Sequence, residues 1–227
     1  MDIAVIVVDW ENIWRSLIRN PQETRKSPVG FSVVFDGLRE ISEIFKRQGK
    51  KVFTFVFLPP YYSKLCSIAP AGLIMSYCPT FGINRNRYNT ADQNIMRVVR
   101  LIIEKGNFQL DIQNIFGIGA LSKIEACATK IYQSGKIPIF WPDGKSANER
   151  RSLRKATKTA LQNFLKDRGQ VTDVCLISGD CDFQSMIERL QRKGVNVIVS
   201  LALNDSLSPD LLACANEFWN FPRRPPH

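Results

Sequence analysis

Residues 3–8 read IAVIVV, six apolar and mostly β-branched positions in succession, closed by Asp9. A half-exposed strand alternates polar and apolar side chains, so an unbroken run is the pattern of a central strand covered on both faces, as in a parallel sheet layered with helices. Ile13, Trp14, Leu17 and Ile18 then recur at helical spacing, which puts Asp9 where a strand hands over to a helix. Three segments repeat a helix, glycine, strand grammar, RQGKKVFTFVF, QSGKIPIFW and RKGVNVIVSL. That is the rhythm of a doubly wound α/β sheet.

A second strand-to-helix junction carries more acid. Residues 174–177 (VCLI) form a short apolar run that breaks at Ser178-Gly179 and delivers Asp180 and Asp182, after which Phe183, Met186, Ile187 and Leu190 return at helical spacing. A third acid, Asp92, opens the helix of Ile95, Val98, Val99, Ile102 and Ile103 inside the capping-box pattern Thr90-Ala91-Asp92-Gln93. Asp92 shares a helix side with Ile95, Met96 and Val99 and is expected to face the sheet ends. In open α/β sheets, ligands bind outside the carboxyl ends of the strands, where Asp9, Asp92, Asp180 and Asp182 all fall. The plain alternative is a first-turn acid complementing the helix dipole for Asp92 and Asp182, and the end of a turn for Asp180.

The remaining chain gives a helix around Val34, Leu38, Ile41 and Phe45 ending near Gly49, and a strand over residues 51–58. A weak helix over 61–69, a strand over 73–77 and a loop over 79–89 carrying Arg85 and Arg87 follow. Residues 19–30 and 79–89 read as loops. Further on come a helix opened by Ser122-Lys123-Ile124-Glu125, a strand over 137–141, and a helix over 147–166. That last helix turns Leu153, Ala160, Leu161, Phe164 and Leu165 inward and lines its other face with Arg150, Arg151, Arg154, Lys155 and Lys158. A strand over 195–201, a short helix over 211–215 and a strand over 218–221 close the domain. The reading is one domain over 1–221 with a basic helical insertion over about 106–170, and a Pro-rich basic tail over 222–227.

Lys and Arg number 31 against 21 Asp and Glu, a formal charge of +10. Such an excess favours a polyanionic partner such as nucleic acid over a neutral metabolite. The basic stripe of the 147–166 helix suits a phosphate-tracking surface for single-stranded RNA, although a charged helix face is often only a solvated one. Six cysteines without a CxxC pair, mostly in apolar segments, point to core thiols in a reducing, cytoplasmic compartment. No apolar stretch reaches the ~18 residues of a membrane span, so no membrane partner is expected. The one histidine is the terminal His227, which excludes mechanisms built on an internal histidine base.

Clustered carboxylates repel unless neutralised, and Mg²⁺ or Mn²⁺ suits an all-oxygen site that also takes substrate phosphate. Such an ion supports phosphodiester hydrolysis without histidine. Asn12, three residues after Asp9, is placed to orient that carboxylate or a metal-bound water, and Ser178 to hydrogen-bond the cluster or a phosphate oxygen. Residues 144–146 (GKS) resemble the end of a nucleotide-binding loop, but Ile139 stands where its first glycine belongs.

The stretches VDWENI (8–13), NTADQ (89–93) and LISGDCDF (176–183) resemble, in order, the three acidic motifs of the NYN (LabA-like) branch of the PIN-like nucleases. Residues 212–221 resemble that family's closing helix and strand. The resemblance implies a Rossmann-like parallel sheet and a metal-dependent ribonuclease. By position it makes Asp9, Asp92 and Asp180 the main metal-site acids, with Asp182 and Asn12 in support. Trp10 departs from the small residue usual in the family and would narrow the approach to Asp9. Asp143 and Glu149 are reserve acids, should the long stretch before Asp180 displace Asp92.

Two other classes compete. One is an RNA-binding or scaffold protein that keeps the fold without turnover, and the insertion leaves room for a homodimer contact. The other is an aspartyl-phosphate phosphatase, disfavoured because Asp9-Trp10-Glu11 lacks a second aspartate two residues on.

Overall fold

The computed structural model describes residues 1–19, 31–58, 70, 72–78, 80–83, 86–89, 91–104, 110–113, 137–140, 146–167, 169–201 and 207–221. The strands are β1 (Asp2–Asp9), β2 (Lys51–Leu58), β3 (Leu73–Tyr77), β4 (Thr80–Ile83), β5 (Asn86–Asn89), β6 (Leu110–Gln113), β7 (Ile137–Phe140), β8 (Gln170–Ile177), β9 (Asn196–Leu201) and β10 (Glu217–Asn220). The helices are α1 (Trp10–Arg19), α2 (Phe31–Arg47), α3 (Ala91–Glu104), α4 (Ala147–Lys166), α5 (Gln184–Gln191) and α6 (Pro209–Cys214). Six strands form a mainly parallel sheet in the order β10-β9-β8-β1-β2-β3, with flanking helices. The chain divides into two compact units, residues 1–54 with 168–227 and residues 55–167, the division falling within β2.

In the first unit, β1 takes an interior place, with β8 and β2 as its neighbours. Every side chain from Ile3 to Val8 is fully buried, as are Val174, Cys175, Leu176 and Ile177 of β8. Burying one such aliphatic side chain contributes roughly 1.5–3 kcal/mol, so a slip in strand register would forfeit many such contributions. The β1–β8, β8–β9 and β9–β10 ladders are all parallel. Helix α2 buries Val34, Phe35, Leu38, Ile41 and Phe45. It stops at Gly49, whose φ of 78° is a left-handed conformation that costs glycine least. Lys50 N then reaches back to Phe45 O at 3.1 Å, closing the terminal turn. Gly194 ends α5 in the same way, with φ 76° and a 3.1 Å bond from Val195 N to Leu190 O.

Asp173 near the start of β8 is 4% exposed, and a carboxylate at that depth must be answered. Lys50 Nζ lies 2.5 Å from its Oδ2, Thr172 Oγ1 donates to Oδ2 at 2.6 Å, and Asn196 Nδ2 donates to Oδ1 at 3.2 Å. Burial pushes the carboxyl up, but the Lys50, Thr172 and Asn196 hydrogen bonds and the Lys50 charge together outweigh it, leaving the group below its ordinary value.

In the second unit, α4 lies against β3, and its Phe164 meets Phe55 edge-on at 5.1 Å. β7 also lies beside β3 and pairs in parallel with β6. Helix α3 buries Ile95, Val98, Val99 and Ile102. Met96 is 38% exposed, which corrects its expected inward orientation: it falls just past the edge of the apolar stripe. The expected 79–89 loop is instead an antiparallel hairpin of β4 and β5, with Phe81 opposite Tyr88. Backbone pairing rather than apolar alternation makes that hairpin, so NRYN gave no strand signal. β6 was not anticipated for a related reason, being four residues of mixed polarity. The expected 19–30 loop beyond Arg19, and the helices over 61–69 and from Ser122, lie outside the described residues. No helix among the described residues is long and apolar enough to cross a membrane.

Two outcomes test this packing. A Cβ built on Gly37 would come within 2.6 Å of the buried Phe221 ring. Gly37→Ala should therefore destabilise by about 1–3 kcal/mol in urea unfolding despite a helix-propensity gain of about 1 kcal/mol, with Phe221→Leu recovering part of the loss. For Asp173 the folded value is depressed, so its contribution is fully present above the unfolded value near 3.9 and is lost as pH falls through the folded value. Lys50→Met should cost about 3 kcal/mol at pH 7 and flatten the acid limb of stability against pH below about 4, both read by denaturant titration.

Candidate functional site

Parallel pairing sets Val8 of β1 opposite Ile177 of β8, so the next residues, Asp9 and Ser178, leave the sheet at the same carboxyl edge. Asp9 is 5% exposed. Its Oδ1 accepts from Asn12 N at 3.3 Å, which is N-cap geometry for α1 and satisfies one of that helix's orphan amides. Its Oδ2 accepts from Ser178 Oγ at 3.2 Å. Asp9 thus caps α1, and the same carboxylate is also tied to β8.

From Ser178 the network runs on to the other acids. Ser178 Oγ accepts from Asp180 N at 3.3 Å, and Gly179 N donates to the Asn12 side-chain oxygen at 3.0 Å. Ser208 N, at the start of α6, donates to Gly179 O at 3.1 Å. Asp180 then caps the 3-10 turn Cys181–Phe183, its Oδ1 accepting from Asp182 N at 3.0 Å. Asp180 is half-buried, while Cys181 and Asp182 are exposed. Carboxylate oxygens of Asp180 and Asp182 and the Cys181 sulfur all lie within 4.8 Å of one another. Among the described residues, neither the Asp180 nor the Asp182 carboxylate has a cationic partner.

Five of the residues singled out in the sequence, Asp9, Asn12, Ser178, Asp180 and Asp182, are therefore linked by hydrogen bonds of 3.0 to 3.3 Å. Asn12 and Ser178 each make hydrogen bonds within this cluster. Asn12 orients Asp9 through its backbone amide and spends its side chain on Gly179. Ser178 is fully buried and donates its hydroxyl to Asp9, so it positions the acids instead of facing a phosphate. Trp10 is also fully buried, packed on Phe31 and Phe35 at 5.8 and 5.5 Å between ring centroids, which makes it core and not an obstacle before Asp9.

The other candidates belong to the second unit. Asp92 is half-buried in the first turn of α3. Arg151 and Lys155 are exposed on α4, one helical turn apart. Arg87 lies on β5 and Arg150, Arg154 and Lys158 lie on α4, with side chains outside the described residues, as is Arg85 entirely. Asp143 is outside them too. Of the described cysteines, Cys78 and Cys175 are buried and Cys214 is half-buried; exposed Cys181 departs from the expected core thiol. Its position between two aspartates was the available signal.

A family model for the NYN domain matches residues 86–221, a stretch that holds Asp92, Ser178, Asp180 and Asp182 and begins after Asp9 and Asn12. No curated protein matches the chain. The crystal structure of a protein of unknown function from Vibrio parahaemolyticus aligns over 97% of this chain and 92% of that one, with 17% sequence identity and a TM-score of 0.35.

Ser178→Ala removes the donor to a buried carboxylate and should cost about 1–3 kcal/mol in urea unfolding. Asn12→Ala should leave the Gly179 amide faster to exchange with solvent, read residue by residue by NMR.

Proposed function

The chain belongs to the NYN domain family of PIN-like nucleases, and on that premise we propose that it is a ribonuclease using Mg²⁺ or Mn²⁺ to hydrolyse RNA phosphodiester bonds. The observation that carries the reading is the Asp180–Asp182 pair: two carboxylates at the end of a parallel strand, without a cationic partner among the described residues, hung from the same hydrogen bonds that fix Asp9. The buried Asp173 looks different, being saturated by Lys50, Thr172 and Asn196. Oxygen donors left open in this way fit a hard divalent ion that keeps several waters and takes phosphate oxygens.

Asp180, Asp182 and Asp9 would hold the ion, and the family resemblance assigns Asp92 the same duty. When bound, such an ion polarises the phosphate and acidifies a water molecule. Ser178 and Asn12 keep the carboxylates from turning away, Ser178 by bonding Asp9 and the Asp180 amide, Asn12 by anchoring Gly179. Arg151 and Lys155, with Arg150, Arg154 and Lys158 on the same helix, Arg87 on β5, and Arg85, would track the backbone of single-stranded RNA. The formal charge of +10 favours that partner.

Purified protein should cut end-labelled single-stranded RNA with Mn²⁺ or Mg²⁺ and stop with EDTA. Asp180→Asn should lower the rate by more than the roughly 100-fold that loss of an outer-shell partner costs, with Asp92→Asn behaving alike. Arg151→Ala with Lys155→Ala should reduce the slope of log affinity against log salt by about 1 to 1.5. Metal-insensitive binding without any cleavage would replace the nuclease reading by an RNA-binding one.

A further inference from the structure

We propose that the unit of residues 55–167 holds single-stranded RNA by itself and without metal, along the outward face of α4. Affinity for the substrate and the acids that would cut it then belong to different units of the chain. The proposal rests on the RNA substrate proposed above and concerns where that RNA is gripped. Residues 55–167 hold 16 Lys and Arg against 7 Asp and Glu, whereas residues 1–54 with 168–227 hold 15 against 14. Nine of the ten excess positive charges thus sit in the unit that does not contain Asp9, Asp180 and Asp182.

Helix α4 concentrates that excess. Its 20 residues carry six Lys and Arg and a single acid, Glu149. Leu161 and Phe164 are buried on its inner face, and Arg151, Lys155, Thr159, Gln162 and Lys166 are exposed at successive turns. No exposed residue of α4 among those described is acidic. Nor do Arg151, Lys155 and Lys166 form an ion pair among the described residues. A charged helix face that is only solvated looks otherwise in this protein. On α1, Arg15 pairs with Glu11, and on α2, Arg39 pairs with Asp36 and Lys46 with Glu43.

An α-helix rises ~1.5 Å per residue, so Arg151 and Lys155 stand about 6 Å apart along the axis and the stripe from Arg151 to Lys166 runs about 22 Å. Arg150, Arg154 and Lys158 keep the same four-residue interval one position earlier. Cations set in line along one straight face match the single phosphate backbone of an unpaired strand, with Thr159 and Gln162 able to hydrogen-bond phosphate or sugar between them. A face of that length falls at the lower end of the ~4–16 nucleotides that a single-strand site occupies. Contacts of this kind read charge and not base identity, so RNA of any sequence is held once it is long enough to span the face.

The test follows binding of fluorescein-labelled oligouridylate to the full-length protein by anisotropy, in EDTA so that no cleavage intervenes. An oligomer of about 12 nucleotides should bind, and one of about 3 should bind at least about tenfold more weakly. Arg151→Gln, Lys155→Gln and Lys166→Gln together should weaken the longer RNA at least about tenfold and cut the slope of log affinity against log salt by about 2. Arg189→Gln, Arg192→Gln and Lys193→Gln remove the same charge from exposed positions of the other unit and should leave affinity within about twofold. Arg151→Lys with Lys155→Arg, which keeps the charges, should bind like the wild type and controls for folding. Equal losses from the two triple variants, or duplex RNA or anionic vesicles bound through α4 as tightly as the single strand, overturn the proposal. RNA held through α4 by a protein that never cuts with Mn²⁺ leaves the proposal standing and fells the nuclease reading. Cutting with Mn²⁺ by the α4 triple variant at undiminished affinity does the reverse.

Discussion

A carboxylate that is 5% exposed must be hydrogen-bonded or paired, and the way Asp9 meets that demand sets the positions of the other acids around it. One oxygen is satisfied by the start of α1 and the other by Ser178, which is available only because β1 and β8 run parallel with Val8 opposite Ile177. The register is itself enforced by the continuous apolar runs of the two strands, since a slip would strip their buried side chains of matched neighbours. Ser178 then accepts from the Asp180 amide, and Asn12 holds Gly179. Burying one charge at a strand end thus dictates where the next two carboxylates emerge. Core packing and site geometry are one constraint here, expressed at successive steps along β8.

The two ends of β8 resolve their charges in opposite ways. Near its start, Asp173 is matched by a lysine, a hydroxyl and an amide, and Asn196 continues the network to Glu217 at 3.3 Å, which accepts from Trp219 at 3.0 Å. Each donor there has a protein acceptor, which is how a structural ion pair behaves. Beyond its other end, Asp180 receives a single turn hydrogen bond and Asp182 presents its carboxylate to solvent. The contrast is between a buried acid inside the strand and more exposed acids beyond its end.

Continuous apolar runs and helix-ending glycines were legible because each reports a local demand: β1, β2, β3 and α4 sit where their patterns put them, and Gly49 and Gly194 take the left-handed turns their positions suggest. The β4–β5 hairpin was not legible, since its stability lies in backbone pairing that leaves little trace in NRYN. Met96 shows the limit of periodicity in another form. A residue one step past the stripe is apolar without being buried. Within the site, the acids and Asn12 were visible as residue types, whereas the division of labour was not. Asn12 working through its amide on Asp9 and through its side chain on Gly179 depends on where two distant segments meet.

That dependence also bears on what the family match covers. The matched stretch begins at residue 86, yet Ser178 and Gly179 within it are held by Asp9 and Asn12 from the first dozen residues. β8 has β1 on one side and β9 on the other. A chain reduced to the matched stretch would leave one edge of β8 unpaired and expose Val174, Cys175, Leu176 and Ile177 beside it, an arrangement that invites strand addition from another molecule. It would also remove the oxygen that receives the Ser178 hydroxyl and the one that receives the Gly179 amide, freeing the turn that carries Asp180. The motif with the most chemistry is therefore not self-sufficient. Its geometry is supplied by a strand far away in sequence, and the acid at the end of that strand is its structural anchor.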